Sequence, residues 1–305
     1  MKKAFVVLLI LSIVFMGAQC GKKKTEAPKP FSGGSEGLAI SFAENAPLES
    51  FTRGEEIPVS VVLKNKGEYN VPAGKAKVKL FGVDLKSFNL ENAGNYKATT
   101  EPLQGKSALY PEGSEVVMDL GNLNYKPSIP GDFQEYTLKA RVCYECKTTT
   151  SVPICIKPKI AQDSTVCTVE PETEVEEGFV SSSPVQLTSI STEQVGSNKV
   201  RFSLTFENKG NGKVYSADVS CEDLEDTVKR SLHEGELKIK VESPTSIVCT
   251  PQNLREFTAR LENGKATVVC VVTSNEAVKD YLNLDVYFKY VSETNKKLTI
   301  YSSEI

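Results

Sequence analysis

From about residue 57 to its last residues, this 305-residue chain alternates apolar and polar side chains with a period of two. Val59, Val61 and Leu63 fall on one face of such a run, Ser60 and Lys64 on the other. Ala76, Val78 and Leu80 alternate with Lys75, Lys77 and Lys79, and Leu138, Ala140 and Val142 with Thr137, Lys139 and Arg141. Successive side chains of a strand point to opposite faces, so a period of two with one polar face predicts half-buried antiparallel strands rather than helices. Asn65-Lys66-Gly67, Pro111-Glu112-Gly113 and Pro130-Gly131-Asp132 punctuate the runs as turns.

The pattern occurs twice. Val200, Phe202, Leu204 and Phe206 alternate with polar residues, and Asn208-Lys209-Gly210 then stands where Asn65-Lys66-Gly67 stood. Tyr136–Cys146 aligns with Leu282–Ser292 and brings Tyr144 onto Tyr290. Each of these runs is expected to turn and come back, as Ser151–Ile156 and Lys297–Tyr301, which predicts two copies of one domain. Short strands and Gly/Pro turns in units of this size predict an all-β fold of two immunoglobulin-like antiparallel β-sandwiches in tandem. The expected boundaries are 38–160 and 184–305. Between them, 161–183 contains the acidic run Glu170–Glu177 and reads as a solvated linker. Sandwich 1 carries extra sequence at about 82–112, with Phe81, Phe88, Leu90, Tyr96 and Tyr110. It is expected either to bind, as loops on a sandwich do, or to pack on its own aromatics.

Composition narrows the chemistry. Net charge is −3 with both signs interspersed, and no basic stripe with aromatics marks a nucleic-acid interface. The chain has one histidine, His233, and no tryptophan. No phosphate-cradling glycine loop, GxSxG or HExxH occurs. His233 reads as a surface-loop residue. The carboxylates of Glu222-Asp223 and Glu225-Asp226 share one acidic loop that lacks calcium-loop spacing with a central glycine. The expectation is no enzyme activity, no metal and no cofactor.

Eight cysteines stand at 20, 143, 146, 155, 167, 221, 249 and 270. Cys143 and Cys155 flank the expected hairpin symmetrically, where facing Cβ atoms lie ~4.5–5.5 Å apart, and are expected to pair. Cys249 and Cys270, on neighbouring strands through Glu262-Asn263-Gly264, form the second expected pair, and Cys167 with Cys221 the third. Cys146 is left as a free thiol, since it and Cys143 face opposite sides of a strand. The competing arrangement, zinc on Cys143, Cys146, Cys155 and Cys167, needs a knuckle turn where the pattern is a strand. A redox CxxC needs a βαβ setting that the pattern lacks.

The N-terminus resembles an exported leader. Met1-Lys2-Lys3 is basic, Ala4–Ala18 is an apolar run of fifteen residues, and Cys20-Gly21 follows. The run is shorter than the ~20 residues of a membrane span, so a cleaved signal is favoured. Gly17, Ala18 and Gln19 before Cys20 resemble a lipobox, with Gln19 where that pattern prefers a small residue. Cys20 is the candidate lipid attachment site; a retained signal anchor and free secretion are the alternatives. Residues 21–37, with Lys22–Lys24, Pro28, Pro30, Gly33 and Gly34, read as a flexible tether on the membrane surface.

The Asn-x-Gly strand ends, and Ala140–Thr148 with Cys143-Tyr144-Glu145-Cys146 followed by Cys155-Ile156, resemble CARDB-type adhesion-related domains of exported proteins in small-genome archaea. The resemblance implies a membrane-anchored extracytoplasmic protein without enzyme activity, acting in adhesion, envelope structure or partner binding. The partners expected are the membrane and a surface protein or glycan, not nucleic acid. A solute-binding lipoprotein and an accessory subunit of a secretion or pilus machine are the alternative readings.

Overall fold

The computed structural model describes residues 28–244, 246–250 and 254–302. The leader, Cys20 and Lys22–Lys24 lie outside them. Among the described residues no helix is long and apolar enough to cross a membrane.

The fold is all-β. The first half supplies β1 (Leu38–Phe42), β2 (Ser50–Thr52), β3 (Ile57–Asn65), β4 (Ala76–Phe81), β5 (Lys97–Ala98), β6 (Glu115–Leu123) and β7 (Phe133–Ile156). The second half supplies β8 (Glu172–Glu174), β9 (Val185–Val195), β10 (Lys199–Asn208), β11 (Lys213–Tyr215), helix α1 (Thr227–His233), β12 (Glu236–Ser243), β13 (Ile247–Cys249), β14 (Glu256–Arg260), β15 (Lys265–Thr273) and β16 (Val278–Tyr301). Two outer sheets, β1-β3-β6 and β13-β15-β10-β9-β8, belong to one half each. Both halves contribute to one eight-stranded sheet, whose main path runs β14-β12-β16-β7-β4-β5, with β11 and β2 paired to β16.

That shared sheet corrects the expected hairpins. Neither Tyr136–Ile156 nor Leu282–Tyr301 turns back. β7 and β16 are single strands of 24 residues each, antiparallel along their whole length from Val278↔Ile156 to Tyr301↔Phe133. Tyr144 lies opposite Tyr290, so the centre of the pairing is also the centre of the sequence repeat. The Thr148-Thr149-Thr150-Ser151 stretch that reads as a turn holds no Gly, Pro or Asn, and its threonines are β-branched strand formers. Alternation passes through it unbroken, with Leu138, Ala140, Val142, Tyr144, Cys146, Thr148, Thr150, Val152 and Ile156 all buried.

Each sandwich thereby takes its last strand from the other half. Beyond Tyr144, β7 leaves β4 and lies against second-half residues: Ser151 N–H donates to Phe179 O, and Thr148 Oγ1 donates to Val185 O at 2.7 Å. Beyond Tyr290, β16 pairs with β2 in the first half, burying Leu298 and Ile300. The two apolar interiors join as one continuous core. Burying a side chain such as Leu298 or Val152 stabilises by ~1.5–3 kcal/mol, so the exchange ties the stability of each half to the other.

The connecting segments are more ordered than their composition predicts. Glu172–Glu174 adds an edge strand to β9, and Phe179–Ser183 is buried. The described end of the expected tether is pinned too. Phe31 N–H donates to Gly178 O, and the Glu68 carboxylate accepts from the N–H groups of Ser32, Gly33 and Ser182.

Candidate functional site

The repeat is broken most conspicuously beside the central tyrosines. β11 and β12 are two pieces of one line along β16, with Tyr215 opposite Lys289 and Lys238 opposite Tyr287. Between them residues 216–235 leave the sheet and return. The base of this excursion is closed by Ser216 N–H to His233 O and Gly235 N–H to Val214 O. Gly235 has φ +78, and a Cβ there would stand 2.7 Å from Leu261 O, so the return requires glycine.

The excursion lies on the outer face of the shared sheet, over strands of the first half. Cys143 of β7 is joined to Cys221. Around the bridge a small apolar cluster of Tyr215, Val219 and Leu224, with Tyr96 and Val291 against it, is separate from the main core. Ion pairs surround it: Lys77–Glu222 and Lys79–Glu225 at 2.7 Å, Arg141–Glu225 at 3.1 Å and Arg141–Glu293 at 2.8 Å. Tyr96 Oη donates to Glu225, and Lys289 Nζ to Ala217 O. Burial pushes the Glu225 carboxyl up, but Lys79 and Arg141 outweigh it and hold it below the ordinary value. Burial, then Glu225, pushes the Tyr96 phenol up. Burial holds the Lys289 ammonium below its ordinary value.

The expected acidic loop is therefore a set of structural carboxylates. Glu222 and Glu225 bind the sheet, Asp223 pairs with Lys229 at 2.6 Å, and Asp226 caps α1 by accepting from Val228 and Lys229 N–H. His233 ends α1 rather than standing in a loop, with Nδ1 buried and unpartnered. On the outer side of α1, Val228 and Leu232, one turn apart, are 76% and 61% exposed. Cavities rim the excursion. One, about 530 Å³, is lined by Arg141, Lys213, Arg230, Ser231, Glu234 and Glu293 among others. Another, about 390 Å³, has Tyr69 and Tyr287 in its walls and Cys146 in its lining.

The cysteine pairing differs from expectation in two of three bridges. Cys143 and Cys155 do not pair: on one continuous strand rising ~3.3 Å per residue, twelve residues put them about 40 Å apart. Cys155 joins Cys167 instead, and Cys221, expected to meet Cys167, joins Cys143. Cys249 joins Cys270 across paired strands. Among the described residues Cys146 is the free thiol, facing the main core while Cys143 faces outward, and burial pushes its pKa up to about 12. The insertion at 82–112 turns mostly inward: Phe88, Leu90, Ala93 and Leu103 are buried, and Phe88 packs on Tyr125 and Tyr136. Leu109 and Tyr110 stay exposed. Among the described residues no three His, Cys, Asp or Glu side chains gather as a metal site requires.

No family model matches the chain, and no curated protein matches it. Among solved structures, the CupB6 tip adhesin from Pseudomonas aeruginosa is 8% identical over 90% of this chain and 99% of its own, with a TM-score of 0.19. The collagen adhesin CNA from S. aureus is 8% identical over 91% and 95%, with a TM-score of 0.12. Scores this low do not equate the folds.

Proposed function

We propose that this is an exported, membrane-tethered, non-enzymatic surface protein of CARDB-like type that binds a partner at the excursion 216–235. The observation that carries the reading is the way the excursion is held. It adds almost nothing to the main core, yet a disulfide and a ring of ion pairs hold it across onto the other half. Loops fixed on a rigid scaffold are where sandwich proteins bind. Three disulfides fit an oxidising, extracytoplasmic compartment, and the leader ending at Cys20 fits a lipid anchor.

Two measurements test this. The intact mass of the mature protein from its native membrane is expected to start at a lipid-bearing Cys20; an unmodified, unprocessed N-terminus overturns the lipid tether. Capture of intact cells or envelope fragments on immobilised protein is expected to fall at least fivefold for Val228→Glu/Leu232→Glu. Unchanged capture by that variant, or no capture by the wild type, overturns the excursion as the binding face.

A further inference from the structure

The cavity beside Arg141 and Arg230 has a composition that selects a ligand class. Its walls come from both halves: Tyr96 and Arg141 from the first, and Lys213, Arg230, Glu234 and Glu293 from the second. Its volume of about 530 Å³ is within the ~300–1,000 Å³ of small-molecule sites. Arg141 is neutralised by Glu225 and Glu293, and Lys213 by Glu234 at 2.8 Å. Arg230 is half-buried in the same wall, and among the described residues its guanidinium has neither an ion-pair partner nor a hydrogen bond. Among the described residues Arg230 is thus the one cation of this wall without a counter-charge, and the cavity presents its guanidinium to an anion.

We propose that this cavity binds a carboxylate-bearing saccharide, with the carboxylate on the Arg230 guanidinium and sugar hydroxyls on Glu234, Glu293 and Ser231. The proposal rests on the reading above that this face binds a partner. A guanidinium fork takes a carboxylate through two parallel N–H···O bonds. Glu293 and Glu234 each give one oxygen to Arg141 or Lys213, which leaves the other to accept from a hydroxyl. A peptide fits less well. Its side chains need apolar surface, and here Leu224 and Val291 are the aliphatic side chains in a wall of charged and hydroxyl groups.

The test is calorimetric titration of the full exported chain with digalacturonate, its methyl ester and neutral galactobiose. Digalacturonate is expected to bind, and the ester and galactobiose at least tenfold more weakly. Arg230→Gln is expected to lose at least tenfold for digalacturonate, and Arg230→Lys to lose less. Lys126→Gln, exposed elsewhere, is expected to lose nothing. Alkylation in denaturant without reductant, showing Cys146 as the single thiol in each variant, confirms that the bridges have formed. Equal binding of acidic and neutral sugars, or digalacturonate binding indifferent to Arg230, overturns the proposal. So does Arg230-dependent binding of a hexaglutamate peptide with no binding of any sugar. If no sugar binds while cell capture still depends on Val228 and Leu232, the ligand class falls and the binding face stands; if neither is seen, both fall.

Discussion

The two halves of this chain share a plan but use their insertions in opposite ways. Each half has an Asn-Lys-Gly strand end whose asparagine side chain closes the turn. Asn65 accepts from Gly67 N–H and donates to Tyr69 O; Asn208 accepts from Gly210 N–H and donates to Gly212 O. In each half, extra sequence follows the strand that lies beside the central tyrosine. In the first half, 82–112 carries Phe88, Leu90 and Leu103 and folds into the core. In the second, 216–235 carries charges with few apolar residues and folds outward, onto a sheet face that belongs largely to its neighbour. An insertion rich enough in apolar surface anchors itself by burial. One that is not needs covalent and ionic anchors, and so remains a surface element.

If that contrast is right, the second insertion is sensitive to its staple and the first to its aromatics. Cys143→Ala/Cys221→Ala opens a cross-link spanning 78 residues, for which loop entropy gives about 4.5 kcal/mol at most. The expected result in urea denaturation is the largest loss of any single bridge, with faster hydrogen exchange confined at first to 216–235. A loss below that from opening the 12-residue Cys155–Cys167 link would break the contrast. Phe88→Ala empties a site that is 1% exposed between Tyr125 and Tyr136, at about 3–5 kcal/mol. The parallel truncation outside, Val228→Ala/Leu232→Ala, is expected to stay within about 0.5 kcal/mol. Comparable losses at the two places would mean that the insertions are not anchored differently.

Much of this architecture is legible in the residues, and the failures have a common physical cause. Period-two alternation identifies the strands because burial on one face is a local property of the sequence. Parity also places Cys143 and Cys146 on opposite faces, as found. The partner of a strand is not local. Nothing in Thr148–Ser151 announces that β7 continues for another half-length, because the strand it continues along lies more than a hundred residues away. A hairpin expected there carries the Cys143–Cys155 pairing with it, and both fall together. In the sequence the excursion shows only as an acidic loop. An aspartate before a short helical run is a capping signal, and Asp226 ahead of Thr227–His233 could have been read as one. Lys77 and Lys79, alternating outward on β4, were the other half of its ion pairs, but adjacency between them required the fold.

The central tyrosines offer a finer comparison, because equivalent hydroxyls have different tasks. Tyr144 Oη accepts from Leu38 N–H at 3.0 Å in a buried site, securing the entry into β1. Tyr290 Oη accepts from Gly212 N–H at 2.6 Å in a partly buried one, securing its own turn. Gly37 and Gly210 make both approaches feasible, since a Cβ at either would collide with the hydroxyl. Tyr144→Phe leaves a buried N–H unsatisfied, at ~1–3 kcal/mol. Tyr290→Phe is expected to cost less, because water reaches the group it exposes. Equal losses would show that the two hydroxyls are equally dry.

The smallest expected effect is electrostatic and has a definite sign. The hydrogen bond from Lys77 holds Glu222 below its ordinary value of 4.5, and Lys79 with Arg141 holds Glu225 below it against burial. A carboxyl whose folded pKa is depressed contributes stability that is complete above its unfolded value, here about 4.5, and lost as pH falls through the folded one. Both side chains are about half exposed, at 54% and 40%, so solvent screening keeps the contribution of each pair below about 1 kcal/mol. Glu222→Gln/Glu225→Gln is therefore expected to lower the urea midpoint slightly at pH 6, with the difference vanishing toward pH 3 and shrinking in high salt. A difference that persists unchanged at pH 3 would mean that the glutamates act by shape rather than charge. Repeated in Cys143→Ala/Cys221→Ala, the same measurement becomes sharper. With the staple gone, these ion pairs and the small cluster around Leu224 hold the excursion against the conformational entropy of some twenty residues, at ~1–2 kcal/mol per residue. Detachment in acid is then expected at a higher pH than in the bridged protein.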